Sequence, residues 1–476
     1  MHMQTKSLLV NILIFTCSFL FISNTQAQQQ LADPLYLDET VPVSERVEDL
    51  LSRMTLEEKV GQMVQYNGTW DVTGPAPQNG NSQEKYERIK AGLVGSMLNV
   101  VSAEATREAQ KLAVENSRLG IPLLFGYDVI HGYRTMMPIP LGETASWDPG
   151  AWERSARIAA TEAAAAGVHW TFAPMIDVSR DPRWGRMMES PGEDPYLSSL
   201  ASKARIRGFQ GDDLSDTATI AATAKHFAAY GFVEAGKEYN TVDMSMFRLY
   251  NVVLPPFKAA VEADVATFMN AFNLINGIPA TASHLLQRHI LKDDWQFDGF
   301  VVSDWGSIEE LVDHGYAKDI KDAAHKAVEA GSDMDMESYA YENALPELVN
   351  EGIVDEDLID DAVSRILTVK FKLGLFEDPY RYSNTQREEK VIYSKEHRAA
   401  ARDIARKSMV LLKNERDILP LSKRNMEIGV IGSLAESKDV PLGSWRAHAE
   451  TNSAVSLLEG IKEAAGRGTK VRYAPG

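Results

Sequence analysis

Cysteine is almost missing from this chain. The single one, Cys17, lies inside an N-terminal apolar run, so no internal disulfide is available and stability has to come from a large core. Positive charge is also in deficit. The 49 Lys and Arg stand against 67 Asp and Glu, a formal net charge of −18, with a sequence pI of about 5.1. That argues against nucleic acid or anionic membrane as the main partner and suits a neutral or cationic substrate. After the N-terminus no apolar run approaches the length of a membrane span.

Several catalytic signatures are absent too. There is no His-x-His on an early strand, no HExxH and no pair of cysteines. Asp128-Val129-Ile130-His131 offers two ligating side chains, but the weight of the sequence is against a metal, and no cofactor is expected. Gly185 and Gly192 flank no helix start of the P-loop kind, and no G-x-S-x-G turn announces a serine nucleophile.

What is present begins with a targeting pattern. Lys6 precedes an apolar run over residues 8–22, and Ser23-Asn24-Thr25-Gln26-Ala27 ends it on a small residue. This reads as a secretory signal over residues 1–27, with an uncleaved anchor as the alternative. Thr16 before Cys17 is not the small residue of a lipoprotein site, so lipidation is not expected. A periplasmic or secreted protein follows, with no membrane association once the signal is removed. Its removal takes away Lys6 and the only thiol.

The remaining chain is long enough for a large barrel and something more. Apolar residues make up 44% and charged residues 24%, ordinary globular proportions. Thr55-Leu56-Glu57-Glu58 is a capping box that opens a helix. Residues 68–82 are rich in Gly, Pro, Asn and Thr and read as a loop. Short apolar runs then alternate with helical stretches. The runs lie at 60–64 (which competes with the helix), 95–99, 121–128, 169–177, 221–226, 265–273, 300–304 and 331–335. Helices are expected at 105–119, 151–166, 250–262 and 322–330. Eight runs with helices between them predict an α/β fold, a (β/α)8 TIM-like barrel over residues 45–380. An open doubly wound sheet stays as the alternative, because counting strands does not show closure. Residues 381–395 read as a linker. Residues 396–476 read as the start of a second α/β sandwich domain that is cut short, with a helix over 396–409 and strands at 410–414, 428–432 and 470–474.

The strand ends carry the chemistry. Asp128, Asp177, Lys225 with His226, Asn273, Asp304 and Asp335 all stand where an apolar run stops. The sharpest case is Gly299-Phe300-Val301-Val302-Ser303-Asp304-Trp305-Gly306-Ser307, where a carboxylate ends a β-branched run and a glycine turns the chain. Asp304 alone reads equally well as the cap of the next helix. Six polar ends on one rim favour a site. Carboxylates, a Lys-His pair and an Arg are good partners for hydroxyl groups. Trp147, Trp170, Trp184 and Trp305 offer faces on which a sugar ring stacks, although most tryptophans are core.

These segments, together with LLFGYDVIHGYRT, FAPMIDVSRDPRWGRMMESPGEDPYL, AKHFAAYGFVEAGKEYNTVDMS, NAFNLINGIPAT, GFVVSDWGS, MVLLKNERDILPL and VIGSLAESKDVPLGSW, resemble glycoside hydrolase family 3. The likeness runs from about residue 40 to the last residue. It implies retaining hydrolysis of a terminal β-linked sugar, glucose or, alternatively, xylose, from a small oligosaccharide or glucoside. Asp304, in the SDW motif, would be the nucleophile. Asp128 would bind hydroxyls at the far side of the sugar, and Arg186, Lys225 and His226 the other hydroxyls. Trp305 would stack on the sugar or line the next subsite, and Glu238 is carried over from KEYNT. Phe272 stands where some relatives carry a Tyr. The family's β-glucosidases take their acid from a Glu of the second domain, which no residue here matches. A branch that uses a His on a barrel loop does not fit, since residues 228–240 contain none; Glu234 and Glu238 are the substitutes. Two rivals remain: a Schiff-base lyase built on Lys225, and a sugar-binding barrel without catalysis. Oligomeric state is not legible.

Overall fold

The computed structural model describes residues 34–68 and 80–476. The expected signal over 1–27 lies outside them, as does most of the loop over 68–82, of which the described end already belongs to a helix, Gly80–Lys90. The described residues divide into two compact units, with the boundary between Arg53 and Met54.

In the first unit a short turn, Leu35–Leu37, precedes the helix Val43–Arg53. Asp49 ties them together. Its carboxylate accepts from the backbone N–H of Tyr36 at 3.0 Å and from the Arg53 guanidinium one turn on.

The second unit opens with the helix Leu56–Gln62. Thr55 and Glu58 form the capping box that the sequence announced. The ambiguity over residues 60–64 resolves in favour of the helix as far as Gln62, and strand β1, Val64–Asn67, begins only afterwards. Seven further strands fall in or beside the other runs: β2 (Ser96–Leu98), β3 (Leu124–Tyr127), β4 (Trp170–Thr171), β5 (Thr223–Phe227), β6 (Thr267–Asn270), β7 (Phe300–Val302) and β8 (Asp335–Met336). One parallel sheet has the order β8-β1-β2-β3-β4, and a second has the order β7-β6-β5. Isolated parallel bridges join Trp170 to Ala221, Met175 to Lys225 and Val302 to Met334.

Parallel strands need crossovers, and helices such as Ala103–Asn116, Pro149–Ala165, Pro195–Gln210, Ile320–Ala330 and Glu356–Lys372 provide them. The fold is therefore α/β. Its strands are buried on both faces, which is why they read as continuous apolar runs. Trp170 shows how they converge. Its indole N–H lies 2.7 Å from the hydroxyl of Thr223 on β5 and 2.9 Å from that of Thr267 on β6, while its ring meets Phe300 on β7 edge-on.

Toward the C-terminus the residues expected as a linker include a helix, Thr385–Val391, because Asn384 caps it through the Arg387 N–H. The next helix, Lys395–Lys407, is capped by Ser394. Strands β9 (Glu427–Ile431) and β10 (Lys470–Ala474) pair in parallel and pack Val430 with Ala435 and Leu458. The strand expected over 410–414 does not form, and Leu412 is 91% exposed. A strand holds only beside a partner, and among the described residues nothing pairs with this segment.

Candidate active site

A cavity of about 700 Å³ opens at the C-terminal ends of the parallel strands, the place where α/β folds collect polar side chains. Asp128, Arg186, Lys225, Glu238, Asp304 and Trp305 all line it. His226 does not reach the wall. It is fully buried and stands behind Asp304, with Nε2 3.6 Å from Asp304 Oδ2.

Asp304 is held by its own strand end and its neighbour. Past Val302 the backbone N–H of Asp304 donates to Asn270 Oδ1 at 3.3 Å, and that of Trp305 donates to Asp304 Oδ1 at 2.7 Å. Gly306, at φ +68°, then turns the chain away. Asp304 Oδ2 is left without a hydrogen-bond partner among the described residues. Burial pushes this carboxyl up to about 6, against the pull of Arg186, Lys225 and the Trp305 N–H. Six residues on, at the start of the next helix, Glu310 is pushed up to about 7 by burial and by the charge of Asp304.

The cationic groups are each tethered. Lys225 Nζ donates to Asp128 Oδ1 at 3.1 Å. Arg186 is gripped by Glu189, through Nε at 2.7 Å and Nη2 at 3.1 Å. Burial lowers the Arg186 pKa, but the charges of Glu189 and Asp304 outweigh it and the net shift is upward. Glu238 accepts a short hydrogen bond from the Tyr230 hydroxyl, and its Oε1 has no partner among the described residues. Burial and Glu238 together raise the pKa of that phenol.

Other strand-end residues do different work. Asp177 is buried behind the wall, where its Oδ2 accepts from the His226 backbone N–H and shares a hydrogen bond with the ring Nδ1, both at 2.9 Å. Asp335 caps a helix, accepting from the backbone N–H groups of Ser338, Ala340 and Tyr341. Asn273 is buried against the carbonyls of Ala228 and Leu274. Glu234 is exposed and does not line the cavity, which separates it from Glu238.

Three contributors escaped the sequence reading. Asn270 and Glu189 act through Asp304 and Arg186, and a buried Asn on a strand or a Glu three residues after an Arg carries no distinctive signal. The third is Trp445. Gly443, at φ +76°, turns the chain so closely over His131 that a Cβ would lie 3.3 Å from the ring. His131 Nε2 lies 2.6 Å from the Ser444 carbonyl oxygen, and the His448 N–H donates to the Tyr133 carbonyl. This places Trp445 on the cavity wall, 5.6 Å from the Arg186 guanidinium and 5.8 Å from Lys225 Nζ. The site is thus a partly desolvated carboxylate between two cations, flanked by two half-exposed indoles. It suits a neutral polyhydroxylated ring with apolar faces.

Residues 55–369 match the model of the glycosyl hydrolase family 3 N terminal domain, and residues 409–474 that of its C-terminal domain. A periplasmic beta-glucosidase of Salmonella typhimurium is 42% identical over 97% of this chain and 60% of its own length. A putative beta-xylosidase of Formosa agariphila is 36% identical over 90% of this chain and 58% of its own. Among solved structures, a beta-glucosidase from Listeria innocua in complex with isofagomine is 41% identical with a TM-score of 0.83, over 90% of this chain and 59% of that one. A mutant of the Listeria innocua enzyme, in complex with laminaribiose, has a TM-score of 0.85. The chain spans about three fifths of the length of these relatives. With both family models matched in order along it, the chain belongs to glycosyl hydrolase family 3.

Proposed function

We propose that this site belongs to an exo-acting, retaining β-glucosidase that releases terminal non-reducing β-D-glucose from oligosaccharides or glucosides. The observation that carries the reading is Asp304, a carboxylate with an unpartnered oxygen at a strand end, set between Arg186 and Lys225 at a sugar-sized cavity. Asp304 attacks the anomeric carbon and forms the glycosyl-enzyme, which water then opens. Asp128 and Lys225, already hydrogen-bonded to each other, hold hydroxyls on one side of the ring, and Arg186 holds them on the other. Trp305 and Trp445 supply apolar faces for the ring and the leaving group. His226 acts from behind Asp304. Among the carboxyls of the cavity, Glu238 is the one to test as a substitute proton donor, because Glu234 lies elsewhere.

The strands are read as a closed (β/α)8 barrel over residues 45–380. The bridges Trp170–Ala221 and Val302–Met334 support closure, since they link the two parallel sheets at both seams. Residues 396–476 are read as the beginning of an α/β sandwich domain. A periplasmic or secreted location rests on the signal pattern of residues 1–27 and on the periplasmic relative. Among the described residues no helix is long and apolar enough to cross a membrane. The Schiff-base alternative is disfavoured because the Lys225 nitrogen is held by Asp128 Oδ1 at 3.1 Å, on the wall rather than free to reach a carbonyl carbon.

The test is hydrolysis of p-nitrophenyl β-glucoside, p-nitrophenyl β-xyloside and cellobiose by this chain and by one extended to the relatives' length. The first-formed anomer is followed by proton NMR. β-Glucose first, with glucoside preferred over xyloside, supports the reading. α-Glucose first, or glucose binding with no turnover by either chain, overturns it. Preference for the xyloside returns the β-xylosidase reading, which the Formosa relative favours.

A further inference from the structure

Behind the cavity wall lies a buried chain of three groups, Asp177, His226 and Asp304. Asp177 Oδ2 stands 2.9 Å from both the backbone nitrogen and the ring Nδ1 of His226. His226 Nε2 stands 3.6 Å from Asp304 Oδ2, too far for a hydrogen bond yet closed by a small rotation of the carboxylate. Asp177 Oδ1, His226 Nε2 and Asp304 Oδ2 are all buried without hydrogen-bond partners among the described residues. Buried polar atoms are ordinarily hydrogen-bonded, so three unpartnered ones along a single chain of titratable groups mark that chain as a place for function.

We propose that Asp177 is a positioning residue which, through the tautomer of His226, decides whether Asp304 faces a hydrogen-bond donor or a lone pair. In one state Asp177 Oδ2–H donates to Nδ1, the ring proton sits on Nε2, and Nε2–H is presented to Asp304 Oδ2. In the other, Asp177 has released its proton to solvent and accepts from Nδ1–H. The ring proton has then moved to Nδ1, and Nε2 offers a lone pair to the carboxylate. Each state carries one ring proton, and they differ by the single proton lost from Asp177.

The surroundings place this exchange near neutral pH. Burial pushes Asp177 up to about 7. The His226 backbone N–H, Arg186 and the Tyr230 backbone N–H lower it, and Glu189 raises it. Burial, Arg186 and Lys225 hold His226 well below its ordinary value, so the ring stays neutral and only its tautomer changes. The Tyr230 ring meets the imidazole edge-on at 5.1 Å. Asp304 in turn faces Arg186, Lys225 and Asp128, and its charge is felt by Glu310.

This inference rests on Asp304 being the nucleophile, but its first readout does not. The probe is the ¹⁵N shift of the His226 ring, assigned by difference against His226→Gln, followed from about pH 5 to about pH 9 in the intact chain. Nε2 is expected to pass from protonated to lone-pair character as pH rises through about 7. In Asp177→Asn the amide oxygen must stay where the His226 N–H donates, which fixes Nδ1–H, so Nε2 is expected to hold its lone pair throughout. The second readout is covalent labelling of Asp304 by 2,4-dinitrophenyl 2-deoxy-2-fluoro-β-glucoside, whose leaving group needs no proton. Wild type is expected to show a step in labelling rate of roughly tenfold to a hundredfold across the transition near pH 7, and Asp177→Asn to lose that step while keeping the decline below about pH 6 that belongs to Asp304 itself. An Nε2 shift that ignores pH in the wild type, or that titrates alike in Asp177→Asn, overturns the proposal. The expected shifts without any labelling of Asp304 keep the tautomer pair and remove the glucosidase reading.

Discussion

Glu189 holds Arg186 by both carboxylate oxygens from a position with no solvent exposure. Arg186 therefore does not search for its orientation at the cavity; a neighbour three residues on sets it. Such a pair is costly to bury and costlier to break, since removing one partner leaves the other charged and unpaired.

Glu189→Ala should accordingly destabilise the fold by about 3–5 kcal/mol in denaturant unfolding and also weaken glucose binding. Glu189→Ala combined with Arg186→Ala should lose less stability than the two single losses added. Additive losses in that cycle would show that the pair is not coupled.

Asp304→Asn should remove covalent labelling and turnover while making the protein more stable near neutral pH. Burial raises the folded-state pKa of Asp304 above the ordinary 3.8 of an aspartate to about 6. The folded form thus binds a proton more tightly than the unfolded one. The associated stability is fully present below about pH 4 and is lost as pH rises through about 6. At pH 7 the buried charge costs on the order of 2–3 kcal/mol, which Asn avoids. A lower melting temperature for Asp304→Asn at pH 7 would contradict this. In the wild type, labelling should decline below about pH 6 as Asp304 protonates.

Lys225→Ala should lower kcat/KM for p-nitrophenyl β-glucoside by about 2–4 kcal/mol in transition-state terms, because it removes the hydroxyl donor of the proposed function and leaves Asp128 unpaired. Lys225→Arg should not restore the rate, since a planar guanidinium does not replace a compact ammonium in a site only 3% exposed. An unchanged kcat/KM in Lys225→Ala would remove this residue from the site.

Trp445→Ala should raise KM with little change in kcat, by about 1 kcal/mol, or roughly fivefold. It contributes an apolar face and a ring near two cations rather than a reacting group. Equal KM for both proteins would mean that the segment around Gly443 is not a wall of the working site.

Leu412→Ser should leave stability within about 0.5 kcal/mol, because the side chain touches solvent over nearly its whole surface. The same change should slow aggregation on heating, since Met409, Val410, Leu411 and Leu412 form an exposed apolar stretch. A loss of several kcal/mol would show that the segment is packed.

Local chemistry decided much of this molecule. The Thr55–Glu58 capping box, the β-branched run before Asp304 and the glycine after it act over a few residues, so they were legible in order along the chain. Apolar runs marked the parallel strands because a strand covered on both faces has no polar side to interrupt the pattern. Asp128, Lys225 and Asp304 stood out as polar ends of such runs, whereas Arg186, Glu238 and Trp305 were carried by the resemblance of their motifs to glycoside hydrolase family 3, and all six meet at one cavity. Tertiary structure decided the rest. Asp304, Asp335 and Asn273 look alike as strand ends, yet Asp335 meets a helix N-terminus, Asn273 meets two carbonyls, and only Asp304 opens onto the cavity. Trp445 comes to the wall from far along the chain, on a turn whose cost is met by contacts with His131 and Tyr133. Leu412 lies in a run as strand-like as those that did form. No sequence pattern carries the partner that such a run requires, because pairing is made between distant segments and not within one.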